Sequence, residues 1–287
     1  MPEHAGRLVV DANKRATILS EATFEVVAEL EPSDSQLVAV GFQKDRMIAH
    51  YHNFYNISYQ PSGKFYQLAN TDTNNWQHCM CVPDEGHVVQ GAHGGLVYVY
   101  STQQMSYFVQ KKCEQLPGGQ AVQQIIKLTN SAHAQALAQA QQVPGQPLSE
   151  LNLHQFAIGT KGSGIFIMDI NLTTYETSRE GHPEVYLQGK YITDILELKE
   201  GLLLVASYSD CSYYIVDLVQ RKEEFLCKGF SPYAMGLVKF PDFTYAGEHA
   251  FPYVLAKEDD FLTIINARTG FAFRLAHVPT HNQNHFS

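Results

Sequence analysis

His78, Cys79 and Cys81, in the run "HCMC", are the residues whose types and spacing come closest to a metal-binding pattern. On an extended segment Cys79 and Cys81 fall on one face and His78 on the other. Tetrahedral zinc takes four ligands, commonly from two close pairs, and the chain has no second close Cys pair. Small cysteines buried on a strand account for the motif without a metal. His50 and His52 alternate on one stretch, with His93 at the matching turn one unit later. A metal or pH-sensitive cluster is one reading of that trio, and histidines at solvated turns are the simpler one. "KEDD" from Lys257 makes an acidic turn of Glu258, Asp259 and Asp260. "GTKGSG" from Gly159 is glycine-rich but joins two strand-like runs, whereas a phosphate loop of that kind opens onto a helix. Gly-x-Ser-x-Gly, Gly-x-x-x-x-Gly-Lys and His-Glu-x-x-His do not occur. No catalytic residue, metal site or cofactor is assigned from these patterns.

The elements that must position these residues are short strands, and they repeat. "GIFIMDINLTTYE" from Gly164 and "CSYYIVDLVQRKEEF" from Cys211 each read as an apolar run, an acid, a polar turn and a second run. A strand-like run, a short polar turn and a second run also start at Arg7, Phe54, Gly95 and Asp260. Turn residues such as Gln60-Pro61-Ser62-Gly63 separate runs of Tyr, Phe, Ile and Val, which suit a pleated, half-buried surface. Ahead of five of these hairpins lies a further pair of strands. Aligning the first strand of each pair puts Ala39, Met80, Ile125, Ile195 and Leu237 in one column, 41, 45, 70 and 42 residues apart. The long interval contains an Ala- and Gln-rich insertion over 129–150, read as a surface loop. Without it, the period is the ~40–45 residues of a propeller blade.

Four short strands at this period, with an Asp closing the third, resemble the WD-repeat β-propeller family over nearly the whole chain. The acid of the family's terminal dipeptide falls on Asp11, Asp169 and Asp217, with Asn266 as a near match. The Trp of that dipeptide is absent, and Gly86-His87 and Gly181-His182 stand away from the family's usual Gly-His position. The expected fold is all-β: a β-propeller of four-stranded antiparallel blades, five complete and one partial. Residues 1–21 form the partial blade, 22–70, 71–115, 116–180, 181–228 and 229–278 the complete ones, and 279–287 a tail, all in a single domain. Five and a half units imply a fragment of a longer chain or an open ring.

The resemblance implies that each inner strand lines a central channel and begins at one rim, where the turns between second and third strands also arrive. Trp76, Tyr191 and Tyr233 start their inner strands in one column. Nearby turns add His52, Asn53, His93, Lys161, Asp210 and Asp259. Large amphipathic rings gathered at a mouth are good anchors for a partner, although the same rings also serve as packing between blades.

The whole composition narrows the rest. The 287 residues are 45% hydrophobic, enough for a substantial core, and carry a formal charge of −9. An acidic balance argues against a general grip on nucleic acid or anionic lipid, and no apolar run reaches the ~18 residues of a membrane span. Five scattered cysteines and an N-terminus without a signal-like apolar stretch point to a reducing, cytoplasmic setting. The expected function is a non-enzymatic interaction scaffold. It docks a peptide or protein partner on the channel rim, as part of a larger protein or complex. The alternative is a propeller hydrolase or lyase working through His93, Asp210 and Asp259. A third role is structural, with the incomplete first blade as a pairing edge for another chain.

Overall fold

Runs of β-branched and aromatic residues broken every few positions by turn formers dictate antiparallel hairpins, and the computed structural model consists of them. It describes residues 7–12, 15–20, 26–29, 37–43, 46–51, 55–59, 65–69, 77–102, 109–129, 153–177, 183–259 and 261–277. The inserted segment 130–150 and the tail lie outside the described residues.

Six sheets are present among the described residues, each running in sequence order from strand to neighbouring strand. The first has three strands, β1 (Arg7–Ala12), β2 (Arg15–Ser20) and β3 (Val26–Glu29). The second is β4 (Leu37–Gln43), β5 (Arg46–Tyr51), β6 (Tyr55–Tyr59) and β7 (Phe65–Ala69). The third is β8 (Gln77–Asp84), β9 (His87–Ala92), β10 (Leu96–Ser101) and β11 (Val109–Gln115). The fourth is β12 (Val122–Lys127), β13 (Leu153–Thr160), β14 (Ile165–Asn171) and β15 (Glu184–Tyr186). The fifth is β16 (Ile192–Lys199), β17 (Leu202–Ser207), β18 (Ser212–Asp217) and β19 (Lys222–Lys228). The last is β20 (Ala234–Lys239), β21 (Tyr253–Glu258), β22 (Phe261–Asn266) and β23 (Ala272–His277). These are five four-stranded blades and a partial one of a β-propeller; the partial blade runs past the expected residue 21 to take in β3, and the blade expected over 116–180 runs on to take in β15. The partial blade has one strand more than its hairpin announces, because the four residues of β3 pair with β2.

The chain divides into two compact units, residues 1–93 with 98–113 and residues 94–97 with 114–287. The first carries the sheets β1–β3 and β4–β7 and the bulk of β8–β11, with β4 lying against β8. Within it, Gln43 reaches from β4 to donate to the Asp84 carbonyl at 2.9 Å. The second carries the last three sheets, where β12, β16 and β20 follow one another as adjacent first strands.

β17 shows how the second unit holds together. A strand sends successive side chains to opposite faces. Leu203 and Val205 join Ala157, Ile165 and Ile195 in one core, while Leu202, Leu204 and Ala206 join Leu237, Val254 and Ile265 in the other. A blade between two blades is buried on both faces, so "LLLVA" is apolar at every position. Each buried Leu, Val or Ile among them contributes about 1.5–3 kcal/mol of burial. Asp194 pins the first strands together. It is buried on β16 and accepts hydrogen bonds from Gln124 Nε2 of β12 at 2.9 Å and from the Leu237 amide of β20 at 2.7 Å.

The last sheet has one face of each kind. Val254 and Ile265 are buried towards β16–β19, whereas the paired row Val238, Leu255, Ile264, Phe273 lies on the opposite face. Val238 is 56% exposed and Phe273 38%.

The repeated hairpin sentence has a local cause. Asn171 accepts hydrogen bonds on Oδ1 from the amides of Thr173 and Thr174, and Asn266 does the same for Arg268 and Thr269. Asp217 accepts from the Gln220 amide. Four residues after each stands a left-handed residue: Tyr175 (φ 61°), Arg221 (φ 52°) and Gly270 (φ 72°). These are Asx-type turns, in which a short polar side chain replaces a backbone acceptor. The position equivalent to Asp217 and Asn266 is therefore Asn171. Asp169, which the sequence alignment places there, is instead a buried residue two positions earlier, paired with Gln155. Asp11 pairs with Ala16, five residues on, in the same register as Asp217 with Lys222.

Gly270 is required as glycine, because a Cβ there would stand 2.3 Å from the Leu226 carbonyl oxygen. Gly164 is required likewise, with the Tyr186 carbonyl oxygen at 2.3 Å.

Candidate binding rim

Three identical backbone links build one end of the second unit. The residue that follows each second strand donates its amide to the residue that precedes each first strand. Lys161 donates to Ala121 at 2.8 Å, Tyr208 to Tyr191 at 2.8 Å, and Asp259 to Tyr233 at 3.0 Å. Two columns therefore alternate along this edge: Ala121, Tyr191, Tyr233 and Lys161, Tyr208, Asp259.

The side chains of these columns form a ladder. The Tyr208 ring lies between two others, with centroids 4.9 Å from Tyr191 and 4.7 Å from Tyr233. Both distances fall in the range of favourable tilted aromatic pairs. The Lys161 ammonium stands over the Tyr191 ring at 5.8 Å. Tyr191 is half-buried, and its hydroxyl donates to Gln123 Oε1 at 3.2 Å. Burial, followed by the neighbouring Tyr208, raises its pKa. Tyr233 is 41% exposed. Its pKa is raised first by its hydrogen bond with Tyr208 and then by burial, so it too stays a neutral phenol at physiological pH.

Asp259 ends the ladder. Its carboxylate is exposed, accepts the Ser231 hydroxyl, and sits on a backbone with φ 41°. Behind it, fully buried Glu258 accepts the Tyr213 hydroxyl at 2.5 Å, the Phe230 amide at 3.0 Å and the Thr263 hydroxyl at 3.1 Å.

Asp210 has a different environment. Lys190 Nζ lies 2.7 Å from its Oδ2, and the Tyr214 hydroxyl donates to the same oxygen. Partial burial pushes its pKa up, but the hydrogen bonds from Lys190, Tyr214 and Ser207 outweigh this and hold it at about 2. The group is a fixed anion at neutral pH, poorly suited to proton transfer. No histidine is hydrogen-bonded to Asp210 or Asp259 among the described residues.

In the first unit, His93 follows β9 as Tyr208 follows β17, and its ring packs edge-on against His78 at 4.3 Å. His50 is not a solvated turn residue. It is fully buried on β5 with Gln90 Nε2 at 3.4 Å from its Nδ1, because its strand lies inside the sheet. Cys79 is buried and its thiol is pushed up to about 12, chiefly by desolvation. Among the described residues no three His, Cys, Asp or Glu side chains are grouped as metal ligands would be. Trp76, His52 and Asn53 lie outside the described residues.

The glycine-rich turn has several of its amides already engaged. Besides the Lys161 link, the Ser163 amide donates to Thr160 Oγ1 at 3.1 Å and the Gly164 amide to the Lys190 carbonyl at 3.1 Å. Tyr208 is the rim residue that sequence reasoning missed. The signal was the position immediately after the second strand, occupied by Lys161, Tyr208 and Asp259 alike; Asp210 stands two residues beyond it.

The class that fold and site define is a β-propeller of four-stranded antiparallel blades. The chain is similar to one in a crystal structure of the mitotic checkpoint complex, with a TM-score of 0.61 at 11% identity over 97% of this chain and 76% of that one. No protein-family model matches the sequence, and no curated protein matches it. Among the described residues no helix is long and apolar enough to cross a membrane.

Proposed function

We propose that this protein is a non-enzymatic interaction module, of the WD-repeat-like kind, that docks a peptide or protein partner on the rim formed by Lys161, Tyr191, Tyr208, Tyr233 and Asp259, as part of a larger protein or complex. The observation that carries the reading is the tyrosine ladder, three rings from two blades in one continuous series with Tyr233 open to solvent. Tyr side chains give large contact area at little entropic cost. The similar solved chain comes from a structure of a protein complex, which agrees with a protein partner. In the first unit His93 holds the position after β9 that Tyr208 holds after β17.

The enzyme reading has less support, because Asp210 is locked as an anion by Lys190 and Tyr214. A randomised peptide display selected on the full chain tests the proposal. Selected peptides should lose at least tenfold in affinity with Tyr208→Ala or Tyr233→Ala, with the Tm changed by less than about 3 °C. Peptides whose binding ignores both substitutions would contradict it.

A further inference from the structure

The two ends of the ladder are not alike. At one end Lys161 places its own ammonium over Tyr191. Elsewhere in the second unit, rings are capped by cations of the chain. Lys190 lies over Tyr214, Lys199 over Tyr245, and Arg274 over both Phe230 and Phe261. Tyr208 and Tyr233 carry no such cap among the described residues. Beside Tyr233 stands Asp259, joined to it by the 3.0 Å backbone link. Ser231 places its hydroxyl between the Asp259 carboxylate and the Tyr233 amide. Asp259 has no ion pair among the described residues, whereas Asp210, two residues after Tyr208, has Lys190.

We infer that the Tyr233 end of the rim selects a basic side chain of the partner, an arginine or lysine whose charge meets the Asp259 carboxylate while its stem or plane lies on the Tyr208–Tyr233 rings. The inference rests on the rim reading above and adds the chemistry of what the rim accepts. The electrostatics favour this occupant over an acidic one. A ring face attracts a cation through its quadrupole, and an exposed carboxylate adds a second attraction. Arginine fits best, because its guanidinium can stack on a ring and hydrogen-bond a carboxylate in its own plane.

The test is a titration of the full chain, carrying isotope-labelled tyrosine, with acetyl-Gly-Ser-Arg-Ser-Gly-amide and with the same peptide bearing citrulline, which has the shape of arginine without the charge. The arginine peptide should shift the Tyr208 and Tyr233 ring resonances with an affinity about tenfold above that of the citrulline peptide. Asp259→Asn should bring the two within about twofold. Asn tolerates the positive φ at this position and keeps an acceptor for Ser231. Lys161→Met, at the other end, should leave the preference intact. Equal shifts from both peptides, no shift from either, or a preference that survives Asp259→Asn would overturn the inference. None of these results would remove the docking surface itself, which stands or falls by the display selection and the Tyr208→Ala variant.

Discussion

Tyr208 and Tyr233 belong to different blades, yet their ring centroids are 4.7 Å apart. The contact follows from the propeller repeat. Tyr208 follows the second strand of one blade, Tyr233 precedes the first strand of the next, and adjacent first strands bring the two positions together. The rim is thus made by the period of the fold, with tyrosine placed at positions the fold has already aligned.

The two outer tyrosines of the ladder should differ in what they contribute to stability. Tyr233→Ala removes the most exposed ring of the ladder, 41% open to solvent, and should cost under about 1 kcal/mol of stability. Tyr191→Ala removes a half-buried ring and its hydrogen bond to Gln123, and should cost about 1–3 kcal/mol. Denaturant unfolding of the two variants checks the order.

Asp210 gives the rim's flank a pH dependence of known sign. Its folded pKa of about 2 lies below the ordinary 3.8. The stability it contributes is therefore fully present above pH 4 and is lost as the pH falls through 2. Asp210→Asn should destabilise the protein at pH 7, and the difference from wild type should shrink steadily between pH 4 and pH 2. Urea unfolding at several pH values measures this.

Cys79 should be chemically silent in the native state. Burial raises its thiol to about 12, so almost no thiolate exists at pH 8. Pulse labelling with N-ethylmaleimide followed by mass spectrometry should modify Cys211, which is half-buried in a surface turn, before Cys79. Cys79 should react only once the chain is unfolded.

The turn caps and their glycines should rank by hydrogen bonds and space. Asn171→Ala leaves two amides without their acceptor at a buried site and should cost about 1–3 kcal/mol. Asp217→Ala leaves one and should cost under about 1 kcal/mol. Gly270→Ala drives a Cβ into the Leu226 carbonyl and should cost at least about 2 kcal/mol. Thermal or denaturant unfolding gives all three.

Much of the architecture is legible in the amino-acid sequence. Ala39, Met80, Ile125, Ile195 and Leu237 fall on β4, β8, β12, β16 and β20, because the inner strands recur along the chain; Met80, Ile125 and Ile195 share one register position after the strand's bulge, and Ala39 lies one residue before it, at the position of Asp194, with Val40 in the column. The column of Tyr191 and Tyr233 is legible for the same reason. Other features are decided by hydrogen bonds that spacing does not reveal. "MDIN" offers two polar residues, Asp169 and Asn171, and only the amides of Thr173 and Thr174 show which one closes the turn. Tyr208 was hidden because Asp210, two residues later, is the more conspicuous chemical group. β3 is only four residues long, too short for its pairing with β2 to stand out from the surrounding chain.

The most direct test of the docking rim is photocrosslinking with p-benzoylphenylalanine placed at Tyr233 and, as a control, at Val219. Val219 is 80% exposed and lies in the turn after β18, at the opposite end of that strand from Tyr208. The account predicts a discrete adduct with a display-selected peptide from position 233 and none from position 219. Adducts from 219 but not 233, or from both alike, would contradict it.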